Sequence, residues 1–560
     1  MTNYQFTGGT ICAPATIPGT GAISIIRVSG NEALAIADKV IDTKGAPIAE
    51  TEGYRLRYGT VFEADGSVLD NVIVSVFRAP HSYTGENSVE ISCHASRFIV
   101  NKILELLVNA GARIAAPGEF TRRAFVNGKM DLAQAEAVAD VIASQSAASH
   151  RVAMNQLKGG FSSELKVLRE KLLTMTSLLE LELDFSEEDV EFASRKELGQ
   201  LVDDSLTHIR RLTASFSRGN AIKNGVPVAI VGATNTGKST LLNALLGEER
   251  AIVSDIAGTT RDTIEETLNI DGILFRFIDT AGIRETDETI EKIGIDRTFK
   301  KLGEAAVVLG MTDLSRGEAA VLEDADFILS KVNEMGGVKN VGLVSDGAET
   351  GGTPPAGTGV AHPAETCGTS RSETVGIPPA GTGGASQHGH GDGQERKVVI
   401  LVNKCDVAGY FYRDDNGTGY GSGNDLGENM AEIGSNKNVN HDNNIVSLIE
   451  NKYDNCKVIP ISAKTGKGLS TLTKTLGEIG SEITGSTDET LVTNVRHYEA
   501  LVRAASALER VRAGLHIATL PPDLIAQDLR EALYHLGEIV GEISTDETLG
   551  NIFRNFCIGK

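Results

Sequence analysis

The 560-residue chain contains no tryptophan, an absence that excludes nothing, and cysteine occurs only six times. Cys12, Cys93, Cys367, Cys405, Cys456 and Cys557 are scattered without a CxxC pair. That argues against a zinc site or a disulfide framework and suits reduced thiols. No run approaches about 18 consecutive apolar residues, so no segment is expected to span a bilayer. Met1 to Gly9 has neither a basic stretch leading into an apolar block nor an Arg-rich, acid-poor character. A cytoplasmic protein is the expectation. Basic residues are scarce: 53 Lys and Arg face 75 Asp and Glu, a net charge of −22. Phosphate contacts need cations, so indiscriminate nucleic-acid binding is disfavoured and any RNA contact is expected to be local.

The length exceeds one ordinary domain and suggests about three. Residues 1–125 mix strand-like runs, Ala22–Val28, Val72–Phe77 and Ser88–Ser92, with a helical run near Ser96–Ala110. They read as an N-terminal α+β domain. Residues 126–222 are helical, with apolar positions Leu132, Ala135, Val138, Ile142, Leu165, Leu168, Leu172 and Leu179. Residues 223–482 alternate apolar strands with helices, as a parallel α/β sheet requires. Residues 483–560 are helical again. The pattern predicts one helical domain in two sequence segments with an α/β domain inserted. Residues 346–395 are rich in Gly, Pro, Thr and Ser, and 409–446 in Asn, Asp and Gly. Both lack the apolar content that offsets ordering entropy and read as disordered insertions.

Val226–Val231 is an apolar run followed by Gly232-Ala233-Thr234-Asn235-Thr236-Gly237-Lys238-Ser239 and the helix start Thr240-Leu241-Leu242. Strand, G-x-x-x-x-G-K-[ST] loop and helix together specify a P-loop. Its backbone N–H groups and helix dipole favour phosphate, Lys238 would reach the β- and γ-phosphates, and Ser239 would hold Mg²⁺. Asp279-Thr280-Ala281-Gly282 is a D-x-x-G at a strand end, and Asn403-Lys404-Cys405-Asp406 is an N-K-x-D at another. The Asp406 carboxylate can accept two hydrogen bonds from guanine that adenine cannot donate, which selects GTP. Ser462-Ala463-Lys464 follows a further strand and resembles the last guanine-contact loop. Gly258-Thr259-Thr260 offers Thr260 as the second Mg²⁺ ligand. A single motif arises by chance; the P-loop, D-x-x-G, N-K-x-D and Ser-Ala-Lys in order, each at a strand end, do not. After D-x-x-G stands Ile283, which cannot orient water as a glutamine would.

The chain resembles the tRNA-modification GTPase family MnmE, also called TrmE, over nearly its whole length except the two insertions. The resemblance is most specific outside the α/β core. It rests on Ser82-Tyr83-Thr84-Gly85-Glu86-Asn87, on Glu90-Ile91-Ser92-Cys93-His94, on Pro117 to Leu132, and on Phe556-Cys557-Ile558-Gly559-Lys560. It implies a homodimer with a reduced-folate site, for 5,10-methylene- or 5-formyl-tetrahydrofolate, at Arg27, Glu90, Lys129 and Lys560. Taken singly, each of these is an ordinary surface charge. Cys557 is implied near the one-carbon unit; its plainer reading is a small buried hydrophobe.

The resemblance also implies K⁺ bound by Asn235 with oxygens of Ser254, Ile256 and Thr259, where an arginine finger would otherwise act. The segment Ser254-Asp255-Ile256-Ala257-Gly258-Thr259-Thr260 would then lie along the nucleotide. Glu291 matches the glutamate that orients water, and is otherwise a solvated helix-face carboxylate. A flavoprotein of the MnmG (GidA) family, carrying FAD, is the implied partner in a heterotetramer. The implied reaction is addition of a carboxymethylaminomethyl or aminomethyl group to carbon 5 of the wobble uridine in tRNA. Departures are Thr234 for a usual proline, Thr236 for alanine, Ser254 for threonine, and Ala95-Ser96 for a Gly-Gly pair. The rival reading is a ribosome-assembly GTPase acting on rRNA; it calls for a KH module or tandem G domains, and neither is visible. A stress-signalling switch is a further alternative.

Overall fold

The computed structural model describes residues 8–184, 195–249, 266–278, 305–334, 396–406, 412–413, 419–420, 444–453, 456–485, 489–515, 522–543, 545–554, 556 and 559. The chain divides into two compact units, one of residues 1–225, 269–274 and 477–560, the other of residues 226–268 and 275–476.

The first unit begins with β1 (Ile11–Pro14), β2 (Ile23–Ser29), α1 (Ala33–Val40), β3 (Ile41–Thr43), β4 (Arg55–Phe62), β5 (Val68–Phe77), β6 (Ser88–His94), α2 (Arg97–Asn109) and β7 (Arg113–Ile114). The strands form one sheet in the order β3-β4-β5-β6-β2-β1-β7. Strand alternation decides its two faces. In β5, Val72, Val74 and Val76 point inward to Leu34, Ile36, Ile103 and Leu107 from the two helices. Asn71, Ile73 and Ser75 alternate with them on the other face. Register sets Arg27 opposite Glu90 on that second face.

Helices then take over: α3 (Glu119–Val126), α4 (Leu132–Ala143), α5 (Ala147–Leu157), α6 (Gly160–Asp184), α7 (Arg195–Ala214) and α8 (Phe216–Asn224). A capping box starts α4. Asp131 accepts from the Gln134 backbone N–H, and the Gln134 side chain accepts from the Asp131 N–H, which satisfies two donors the helix leaves open.

The second unit contains β8 (Val226–Gly232), α9 (Lys238–Glu249), β9 (Glu266–Ile270), β10 (Ile273–Ile278), β11 (Val307–Asp313), α10 (Glu318–Glu334) and β12 (Lys397–Asn403). A short pair, β13 (Tyr412–Arg413) and β14 (Gly419–Tyr420), precedes α11 (Asn444–Lys452), β15 (Cys456–Pro460) and α12 (Leu469–Thr484). The sheet order is β15-β12-β11-β8-β10-β9. Pairs β8–β10, β8–β11, β11–β12 and β12–β15 are parallel. β11 and β12 are almost wholly buried, as unbroken apolar runs in a helix-covered parallel sheet must be.

The chain returns to the first unit with α13 (Val495–Leu515), α14 (Pro522–Val540) and α15 (Asp546–Arg554). Leu165 and Leu172 of α6, Leu206 of α7, Leu501 and Leu508 of α13, and Leu529 and Leu536 of α14 share one core. The helical domain is therefore built from segments on both sides of the α/β domain. Ile142, expected on the buried face, is half exposed. Among the described residues, no helix is long and apolar enough to cross a membrane.

Candidate guanine-nucleotide site

The loop after β8 is shaped by backbone constraints. Asn235 and Gly237 take φ of +62° and +101°, and this curl is the arrangement that turns successive N–H groups toward an anion. A Cβ at position 237 would collide with the Asn403 side-chain nitrogen, so only glycine lets the loop pass beneath β12. Thr236 closes the turn by donating from its hydroxyl to Ala233 O at 2.9 Å. Lys238 opens α9, and its Nζ donates to Gly232 O at 3.0 Å and Ala233 O at 2.8 Å. Burial pushes its ammonium below its ordinary value. A cation folded over carbonyls at a helix N-terminus needs only a side-chain swing to meet a phosphate. Ser239 follows in the first turn of α9, where its hydroxyl suits a hard cation such as Mg²⁺.

The other wall comes from the ends of β12 and β15. Asn403 is buried, and both ends of its amide bond within the protein. Nδ2 donates to Thr236 O at 2.7 Å, and Oδ1 accepts from Ala463 N at 3.0 Å. It holds the phosphate loop and the Ser462-Ala463-Lys464 loop at a fixed spacing. The Ser462 N–H donates to Lys467 O at 3.0 Å, closing that second loop. Lys404 takes φ +64°, and its Nζ donates to Asp313 Oδ2 at 2.6 Å. Burial pushes the Asp313 carboxyl up, but bonds from Lys404 and from the Ser315 hydroxyl and N–H outweigh it and hold Asp313 below its ordinary value. Sequence reasoning missed Asp313; its signal was an acidic residue ending the apolar strand between the P-loop and N-K-x-D. Cys405 packs against the core that includes Val402 and Leu314, and burial pushes its thiol up to about 11, which makes it an inert filler. Asp406 follows on the turn, free of the staple that Asn403 and Lys404 form.

In the first unit, Arg27 Nε donates to Glu90 at 2.9 Å. Its guanidinium lies 5.1 Å from the Tyr83 ring centroid and 5.6 Å from that of Phe120. Arg27 also donates to Gly559 O at 3.4 Å, which brings that glycine against the pair. A half-buried carboxylate beside aromatic rings suits a flat heterocycle with amine donors. Lys129 Nζ donates to Pro80 O at 3.0 Å. The Ser82–Asn87 and Pro117–Leu132 motifs mostly build the support. Arg123, buried, pairs with Glu86 and Glu119, each at 3.0 Å, and Asn127 donates to Thr84 O at 2.7 Å.

Lys560, Cys557, Glu291, Ile283, Asp279 to Gly282, Ser254 to Thr260, residues 346–395 and most of 409–446 lie outside the described residues.

The fold and site define a P-loop GTPase whose G domain interrupts a helical domain. Residues 10–129 match the family described as GTP-binding protein TrmE N-terminus, and residues 132–557 match the MnmE helical domain. The chain is 44% identical to the tRNA modification GTPase MnmE of Parabacteroides distasonis, over 98% of this chain and 100% of that one. It is 43% identical to that of Bacteroides thetaiotaomicron, over 98% and 99%, and 42% identical to that of Porphyromonas gingivalis, over 100% and 99%. The chain belongs to the tRNA modification GTPase MnmE family.

Proposed function

We propose that GTP hydrolysis by this chain drives modification of tRNA in the cytoplasm, together with a flavin-dependent partner of the MnmG (GidA) family. The product is a carboxymethylaminomethyl or aminomethyl group on carbon 5 of the wobble uridine, position 34. The observation that carries this reading is that the match to the family runs through the N-terminal and helical domains, not the G domain alone. The rRNA reading calls instead for a KH module or tandem G domains.

Within the G domain, Asp406 selects guanine, Lys238 and the loop N–H groups bind phosphates, and Ser239 with Thr260 would hold Mg²⁺. Asn235, exposed at the loop tip, would hold K⁺ with Ser254, Ile256 and Thr259, and Glu291 would orient water in place of Ile283. Reduced folate would bind at Arg27, Glu90, Lys129 and Lys560, with Cys557 nearby; when bound it supplies the one-carbon unit. The chain acts as a homodimer and, with MnmG, as a heterotetramer. In support, the sheet face bearing Arg27 and Glu90 also exposes Ile23, Leu56, Tyr58 and Ile73 at 67%, 69%, 56% and 47%, an apolar area of the kind that marks an interaction surface.

The test is nucleoside mass spectrometry of tRNA from cells lacking this protein, before and after the gene is restored. Loss of the carbon-5 aminomethyl-type group, with recovery on restoration, is expected. Unchanged nucleosides refute the modification role and bring the rRNA reading forward.

A further inference from the structure

Ligands of an open parallel sheet gather at the carboxyl ends of its strands, so the residues that end the strands of the second unit bear on the nucleotide site. β11 lies between β8, which leads into the phosphate loop, and β12, which leads into N-K-x-D. Register sets Met311 beside Gly232 and Asp313 beside Asn403. β11 therefore delivers a carboxylate, Asp313, to the edge on which both loops open, although none of the nucleotide motifs includes that strand.

Asp313 is buried, and its two oxygens have different partners. Oδ1 accepts from the Ser315 N–H at 3.0 Å and from the Ser315 hydroxyl at 2.6 Å. Oδ2 accepts from Lys404 Nζ at 2.6 Å. A strut between strands is one purpose for that ion pair. Yet β11 and β12 are already paired from Val307–Lys397 through to Asp313–Asn403, and a pair whose lysine is 34% exposed adds little to such a ladder. Its other effect is on Lys404 itself. The backbone of Lys404 is set at φ +64° and its ammonium is tied to Asp313, so the stem between them is drawn across the ends of β12 and β11. A lysine stem is apolar and covers flat apolar surface while its ammonium stays with a polar partner. The freedom such a stem would lose on binding a ligand has already been lost on folding.

We infer that Asp313 is a positioning residue for guanine-nucleotide binding: it holds the Lys404 ammonium at the end of β11, so that the lysine stem forms an ordered platform for the face of the purine whose edge Asp406 reads. Asp313 touches no part of the nucleotide and acts through Lys404. Ser315 in turn orients Asp313, because its two donors occupy Oδ1 and leave Oδ2 for the lysine. The inference rests on the reading that Asp406 selects guanine, and its test separates the two.

The experiment titrates the full chain with ribose-labelled fluorescent GDP or ADP and follows GTP turnover in the same samples. Asp313→Asn keeps Oδ1 for Ser315 and puts an N–H donor where Oδ2 met the lysine, so it releases Lys404 with the Ser315 bonds retained. It should weaken GDP several-fold and raise the KM for GTP by the same factor with kcat unchanged, the pattern of an interaction made equally in ground and transition states. Lys404→Ala should weaken GDP at least as much. The double variant should bind no more weakly than Lys404→Ala alone, because Asp313 acts through the lysine. Arg316→Gln, which breaks the neighbouring pair with Asp324, should bind like wild type. Full affinity in Asp313→Asn, with wild type still preferring GDP to ADP, would overturn the inference and leave guanine selection standing. Losses that multiply in the double variant would make Asp313 a strut of the sheet end and overturn it too, as would a fall in kcat. Wild type that binds GDP no better than ADP would remove the choice of guanine by Asp406, and this inference with it.

Discussion

Asn403 and Asp406 sit three positions apart in one motif, yet the structure gives them separate tasks. Asn403 ties two loops together with both ends of its amide, which leaves the proposed choice of guanine to Asp406. Asn403→Ala should leave Thr236 O and Ala463 N without that partner, at roughly 1–3 kcal/mol for each buried group. Its G-domain melting temperature should drop even without nucleotide. Asp406→Asn should melt like wild type but lose GTP affinity on the order of 10²-fold or more, with xanthosine nucleotides gaining, because a carboxamide can donate to the xanthine C2 carbonyl. Calorimetry and fluorescent-nucleotide titration check the pair; a melting loss in Asp406→Asn would return it to a structural role. The motif alone could not divide these tasks, because it orders residues along the chain and is silent on which loop each one reaches.

Glu136 is a residue-scale lever of another kind, buried between α4 and α13. His497 Nε2 lies 2.7 Å from its carboxylate, and Arg496 Nε donates to it at 2.9 Å. Burial pushes the carboxyl up, but His497 and Arg496 overcome this and hold it down at about 2. The folded value lies below the unfolded one, so the stabilisation is fully present above about pH 4.5 and is lost as pH falls toward 2. Glu136→Gln should destabilise the helical domain by on the order of 3–5 kcal/mol at neutral pH, the cost of leaving a buried partner uncompensated. Urea unfolding at pH 7 and at about pH 3 should show the gap between wild type and variant narrowing at the lower pH. A gap that is constant with pH would mean packing alone is lost.

At the scale of elements, legibility followed which face each side chain buries. The runs read as strands at Ala22–Val28, Val72–Phe77 and Ser88–Ser92 lie within or against β2, β5 and β6, because apolar residues there alternate toward one core. β4 escaped notice because its pattern is scrambled: Leu56 and Tyr58 face out while Gly59 and Val61 face in. Ile142 misled for a similar reason, as an apolar residue in the exposed last turn of α4.

Gly559 was legible only as part of a motif, since its place depends on a contact with Arg27 more than 500 residues away in sequence. Gly559 takes φ +96°, and a Cβ there would strike Pro14 O. Gly559→Ala should therefore push residue 559 away from Pro14 and remove the carbonyl that Arg27 reaches. Affinity for 5-formyl-tetrahydrofolate, measured by isothermal titration, should fall several-fold or more while GTP turnover is unchanged. Retained affinity would separate the tail from the folate site.

At the scale of the whole molecule, the G domain is inserted into a helical domain whose core needs residues from both sides of it. Ile283 cannot orient water, and nothing on the described phosphate loop supplies an arginine in its place. If K⁺ held at Asn235 does that work between two paired G domains, turnover should be faster in KCl than in NaCl. Asn235→Ala should erase the salt difference and keep nucleotide binding, while Glu291→Ala should lose about 10²-fold or more in hydrolysis with affinity retained. Equal turnover of wild type in the two salts would refute the potassium site. Loss of nucleotide binding in Asn235→Ala would instead make that residue a strut of the phosphate loop, whose φ of +62° asparagine tolerates better than alanine does.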